Sequence, residues 1–179
     1  MKTKKLAVNG MMIAMYVVLS LLTIPLFGDS VEVTFAGLAV VVGAALFGPA
    51  DGLMIGLLGS LMNQMLKYGF TATTVLWIIP AAARGLLVSW YAKRRGFQMS
   101  RKQTTLIVVL SALLVTTLNT AAFYVDSKIY GYYSFAVIFG ALIIRYVAGV
   151  LTAVAFSAVL PPILKIMRRG LCGMLPTKE

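Results

Sequence analysis

Apolar residues in this chain come in long blocks rather than as alternating or 3.6-residue stripes, and polar punctuation divides them into six segments. Blocks of this kind predict an all-α membrane protein, a bundle of six transmembrane helices forming one integral membrane domain. Helices are expected at about 6–24, 33–47, 52–67, 76–91, 104–124 and 135–160, each boundary good to about two to four residues. The run Leu6–Ile24 follows Lys2, Lys4 and Lys5, but it outlasts a signal core and no small-x-small cleavage site follows. It reads as a retained first helix. The second block, Val33–Phe47, is only about 15 residues long, which predicts a short, tilted or re-entrant helix. Gly48-Pro49-Ala50-Asp51 breaks it, with Asp51 a candidate cap for the third helix. Gly52, Gly56 and Ser60 recur every fourth residue, a spacing that lets another helix backbone approach closely. In the fourth block Trp77 suits the membrane interface, and Pro80 predicts a bend in the first turn.

Composition supports the same class. Hydrophobic residues make up 60% of the chain and charged ones 12%, against about 25% charged in soluble domains. A net charge of +11 would suggest nucleic acid in a soluble protein. Here the cations sort by position instead. Lys2, Lys4 and Lys5, then Lys93, Arg94, Arg95, Arg101 and Lys102, then Lys165, Arg168, Arg169 and Lys178 all fall on one side of a six-span bundle. Only Lys67 and Lys128 fall in loops on the other. The positive-inside rule places the N and C termini in the cytoplasm, so no nucleic-acid partner is expected. Histidine is absent and Cys172 is the sole cysteine, so no metal site, cofactor or intrachain disulfide is expected. Neither a phosphate-binding Walker loop nor a nucleophile–base motif is present, which argues against an enzyme.

Within this topology, polar groups converge on the outer half. Arg84 is expected about 10–12 Å inside the fourth helix and Asn119 about 8 Å inside the fifth. Asn63 and Gln64 lie one turn inside the third, and Arg145 about 15 Å into the sixth. A cation inside a membrane segment faces a partner or a watery cavity. The acidic residues Asp29, Glu32, Asp51, Asp126 and Glu179 all fall in predicted loops or tails, so Arg84 is expected to meet an anionic ligand. Arg145 has two readings, a ligand contact or an ion pair with Asp126. Asn63 and Asn119 alone also suit helix–helix hydrogen bonding. Three outer loops, Phe27–Glu32, Tyr68–Thr74 and Asp126–Ser134, would cover such a pocket. Tyr130, Tyr132 and Tyr133 in the last are placed to stack on a ligand or to form an interfacial belt.

These features resemble the substrate-binding (S) components of energy-coupling factor (ECF) vitamin transporters. The resemblance rests on the basic start followed by AVNGMMIAM, on LFGPADGLMIGLLGS, IIPAAARGLLVS and VTTLNTAAFY, and covers about residues 6–168. It implies six helices, an outward-facing vitamin pocket, a transmembrane scaffold subunit and two cytoplasmic ATPases as partners, and a surrounding of cell-membrane lipids. It also implies docking through small residues on the first helix, commonly Ala-x-x-x-Ala. This chain has Gly10-x-x-x-Ala14 with Ala7 before it, a face that would otherwise pack within the subunit. Among members of the family the polar set looks most like the pantothenate type, with the folate type next. Arg84, Asn63, Gln64, Asn119, Arg145, Trp77 and Tyr130 are then the candidate ligand contacts. A stand-alone small-solute carrier or channel is the alternative, and an intramembrane enzyme a remoter one.

Overall fold

The computed structural model describes residues 2–26 and 31–170, so Asp29, Cys172, Lys178 and Glu179 lie outside the described residues. The chain runs as α1 (Lys2–Leu21), a hairpin of β1 (Thr23–Leu26) and β2 (Val31–Thr34), then α2 (Ala36–Phe47), α3 (Pro49–Tyr68) and α4 (Thr74–Arg94). It continues through α5 (Arg101–Tyr130), the short α6 (Phe135–Phe139) and α7 (Leu142–Gly170). Six helices of at least twelve residues thus form an all-α membrane protein. Among the described residues four stretches are long and apolar enough to cross a membrane: Thr3–Leu21, Thr74–Arg94, Arg101–Tyr130 and Phe135–Gly170.

Two ends can be told apart by what ties them. At one, Lys5 of α1 pairs with Asp51 of α3 at 2.7 Å, and Arg168 of α7 donates to the Phe97 carbonyl in the α4–α5 turn. At the other, Ser20 of α1 donates to Asn63 of α3 at 2.7 Å, and Thr73 before α4 donates to Asp126 of α5. The first is the basic end and the second the hairpin end.

The α2 helix is the buried centre. Eleven of its twelve residues are buried, from Ala36 and Gly37 to Phe47, as expected for a helix apolar all round. At about 1.5 Å per residue it is roughly 18 Å long, well short of an apolar layer of about 30 Å. The antiparallel hairpin, with Ile24 opposite Val33, precedes it in the chain. This hairpin corrects the sequence expectation: the first helix stops at Leu21 rather than Ile24, and Val33 and Thr34 belong to a strand. β-branched Thr23, Ile24, Val31, Val33 and Thr34 favour extended backbone over a helix end.

The α3–α4 crossing bears out the four-residue spacing of small side chains. A methyl group on Gly52 or Gly56 would strike the backbone of Gly85 or Ala81, and one on Gly85 would strike Gly52. Such close approach is how helices associate where lipid supplies no hydrophobic drive. The break between α2 and α3 falls at Gly48, whose φ of 106° belongs to glycine. Asp51 does not cap α3. It sits buried in the first turn and accepts from Asn9 Nδ2 at 2.7 Å and from Lys5.

Three further expectations shift. Pro80 lies in the second turn of α4, not the first, because α4 begins at Thr74. α7 runs through Pro161 and Pro162 to Gly170 rather than stopping at Leu160. Bundle neighbours let membrane helices carry prolines in this way. α5 reaches from Arg101 to Tyr130, fixed at its start by a Ser100–Gln103 capping box and at its end by left-handed Gly131.

Candidate functional site

A cavity of about 540 Å³ opens between α2, α4, α5 and α7 toward the hairpin end. Each long helix gives it one face. α4 contributes Trp77, Pro80, Ala81 and Arg84, α5 a stripe from Val108 to Phe123, and α7 a stripe from Arg145 to Phe156. Steps of three and four residues keep all of these on the inner side. Tyr16 of α1 and Thr34 of β2 close the remaining gaps.

Arg84 occupies the middle of α4, ten residues past Thr74, and so about 15 Å along the helix rather than 10–12 Å. Its guanidinium lies against Gly37 of the buried α2, close enough that a methyl group there would collide with it. Gly37 is therefore a socket for the cation. The guanidinium also lies near the Phe156 ring edge that faces the same glycine. Arg84 Nε is buried with no hydrogen-bond partner among the described residues. An unpaired donor on a buried cation is costly, and the same side chain lines the cavity.

The second cation is Arg145, in the first turn of α7 because Gly140 interrupts the predicted sixth helix. Its guanidinium stands 5.1 Å over the Phe123 ring. It makes no ion pair with Asp126, which accepts instead from Thr73, Trp77 Nε1 at 3.4 Å and Tyr132. Among the described residues no carboxylate lines the cavity. Three of the lining hydroxyls are turned to their own helix: Ser111 donates to Val108, Thr120 to Thr116 and Thr152 to Ala148. Arg84, Arg145 and Asn119 bring guanidinium and amide N–H donors to the lining, beside the hydroxyls of Tyr16, Thr34 and Thr116.

The sequence candidates separate on this geometry. Arg84, Arg145, Asn119 and Trp77 share the cavity. Asn63 and Gln64 do not line it, and Asn63 is engaged with Ser20. Tyr130 is exposed and also outside the lining set. Tyr133 packs edge-on against Tyr124 and carries Lys128 at 3.9 Å over its ring. Tyr132 is the loop tyrosine tied to the site: it packs on Phe123, and burial plus its bond to Asp126 push its phenol up to about 12. The phenol therefore stays a donor at any physiological pH. Reasoning from residue type missed Gly37, Tyr16, Phe123 and Phe156. Extending the Asn119 stripe by threes and fours reaches Phe123 at once; Gly37 carries no sequence signal until Arg84 is seen against it.

On the opposite side of α1 the buried residues are Asn9, Met12, Tyr16 and Ser20, whereas Ala7, Gly10 and Ala14 are exposed. Nothing lies within 4 Å of a methyl group built on Gly10. The small face therefore does not pack within the subunit.

Comparison with known proteins agrees with this architecture. The sequence profile of the ECF-type riboflavin transporter S component family matches residues 1–169. UPF0397 proteins of Streptococcus agalactiae serotypes Ia, V and III are 25% identical over 100 residues. That stretch is 54% of this chain and 53% of each relative, so the chain spans about half the length of the curated relatives it matches. The family is one of multi-pass transporter subunits rather than enzymes. With nearly its whole length under that profile, the chain belongs to the ECF-type riboflavin transporter S component family.

Proposed function

We propose that this chain is the vitamin-binding subunit of an ECF importer and that its ligand is a small water-soluble anion, a pantothenate-like carboxylate ahead of a folate-like one. The observation that carries the reading is Arg84, a cation in the middle of a membrane helix whose Nε lacks a partner and which faces a cavity without a described carboxylate. A ligand carboxylate would make a charge-assisted bond with it. Asn119 and Arg145, on the flanking helices, are placed for hydroxyl, amide or second carboxylate oxygens.

The family's description supports a second reading, riboflavin. The tilted Trp77–Phe123 pair, with ring centroids 6.4 Å apart, is the feature that favours a flat ring system. Volume does not choose, since 540 Å³ falls within the usual range of about 300–1,000 Å³ for ligand sites. Charge supports the acid. A neutral isoalloxazine offers Arg84 carbonyl and ring-nitrogen acceptors without charge, whereas a carboxylate also balances its charge. Titration of the purified protein with pantothenate, folate and riboflavin, read by calorimetry, tests the choice. Tighter binding of riboflavin than of either acid would reverse it.

The basic end is proposed to face the cytoplasm, with the cavity on the outer side, from the concentration of Lys and Arg there. The exposed Ala7–Gly10–Ala14 face is proposed as the seat of the transmembrane scaffold, which two ATPases energise. A stand-alone carrier is separated by one result: vitamin uptake that persists in vesicles lacking those partners.

A further inference from the structure

A second cleft, of about 320 Å³, lies at the basic end between the start of α5 and the end of α7. Its polar wall is made of cations: Arg101 from α5, and Lys165, Arg168 and Arg169 from α7. Positions 165, 168 and 169 share one helix face, and like charges at that spacing destabilise a helix. Arg101 stands across from them in the first turn of α5, where no acidic residue offsets it. Among the described residues no carboxylate lines this cleft either. Only Arg168 has a described partner, the neutral carbonyl of Phe97.

Two arginines of this end outside the cleft behave differently. Arg94 stacks on its own helix's Trp90 at 3.8 Å, and Arg95 stands over Tyr91 at 5.5 Å. A charge surplus placed only for topology needs no convergence, yet four cations meet in one concavity. The rest of the lining is apolar Met99, Pro161 and Leu164 with Thr104, whose hydroxyl donates to the Ser100 carbonyl. Leu106 and Ile166 are exposed on the same two helices.

We propose that this cleft binds a phosphate group, and that in the membrane the phosphate is the headgroup of an anionic phospholipid. Basic pockets between membrane helices hold such headgroups, each nearby cation contributing about 1 kcal/mol. The cleft sits where two spanning helices end, at headgroup level, with apolar surface beside it for acyl chains. The bound phosphate offsets the repulsion among the four cations and links α5 to α7.

The test uses the full chain in neutral detergent and native mass spectrometry with added phosphatidylglycerol or phosphatidylcholine. The double variant Arg101→Gln/Lys165→Gln removes two exposed cations from the cleft. Lys93→Gln/Lys102→Gln removes the same charge from the same end outside it. Phosphatidylglycerol adducts should fall about tenfold in the first and stay near parental in the second, with phosphatidylcholine weak throughout. A parallel titration with inorganic pyrophosphate separates the sources: pyrophosphate binding lost in the cleft variant, without lipid retention, keeps the phosphate site and makes its ligand soluble. Equal loss in both variants, or no selectivity for the anionic lipid and no pyrophosphate binding, overturns the proposal. Thermal unfolding of both variants in the same detergent confirms that each is folded.

Discussion

Arg84 and Gly37 act as a pair. The guanidinium reaches the cavity because α2 presents a bare backbone at that position, and any side chain there must push it aside. Gly37→Ala keeps the charge but moves it, so ligand affinity in calorimetry should fall about tenfold. An unchanged affinity would mean that Arg84 does not contact the ligand from this position. The two asparagines should part company. Asn119→Ala removes a cavity donor and should cost about 1 kcal/mol of binding, whereas Asn63→Ala breaks its bond with Ser20 and should cost about that much stability instead. Affinity and melting temperature measured on both variants check the contrast. A binding loss at Asn63 equal to that at Asn119 would place it in the cavity after all. From sequence the two were equivalent, because each is an amide one or two turns inside an apolar segment. What separates them is the rotation of each helix about its axis, which depth arithmetic along one chain does not carry.

Elements show the same division between what local pattern fixes and what packing fixes. Gly52, Gly56 and Ser60 announced the α3–α4 crossing because close approach needs small residues at a set spacing, whatever the partner. Cavity stripes on α4, α5 and α7 were partly legible through Trp77, Arg84, Asn119 and Arg145. The hairpin was not: its four-residue strands are too short to show a period, and Pro25 reads as a turn. Nor was the place of Asp126, assigned to a loop but buried in the last turns of α5. There it joins three elements, accepting from Thr73 before α4, Trp77 on α4 and Tyr132 after α5. Trp77 and Phe123, which Tyr132 packs on, line the cavity, so this carboxylate positions its wall. Asp126→Ala leaves a buried hydroxyl and an indole N–H unpaired, a loss of about 1–3 kcal/mol. A lower melting temperature and a several-fold faster ligand dissociation are expected in stopped-flow measurements. Parental dissociation would mean that the cavity wall holds without it.

At the scale of the molecule, the candidate binding cavity and the proposed docking residues occupy different faces. The cavity lies inward of α4, α5 and α7, while Ala7, Gly10 and Ala14 point outward from α1, on the side away from Tyr16. Gly10→Trp or Ala14→Trp should therefore leave ligand affinity within about twofold of the parent and bring ATP-dependent uptake near background in vesicles holding the scaffold and ATPases. Loss of affinity as well would mean that the Ala7–Gly10–Ala14 face also supports the cavity, and undiminished uptake would move docking elsewhere. The central claim is narrower and rests on one side chain. Calorimetric titration of purified Arg84→Ala beside the parent, with the vitamin the parent binds, tests it most directly. Removing a charge-assisted bond worth about 1.5–3 kcal/mol predicts affinity at least tenfold weaker, with Arg84→Lys between the two because it keeps the charge and loses the planar fork. Arg84→Ala binding as tightly as the parent would contradict the account.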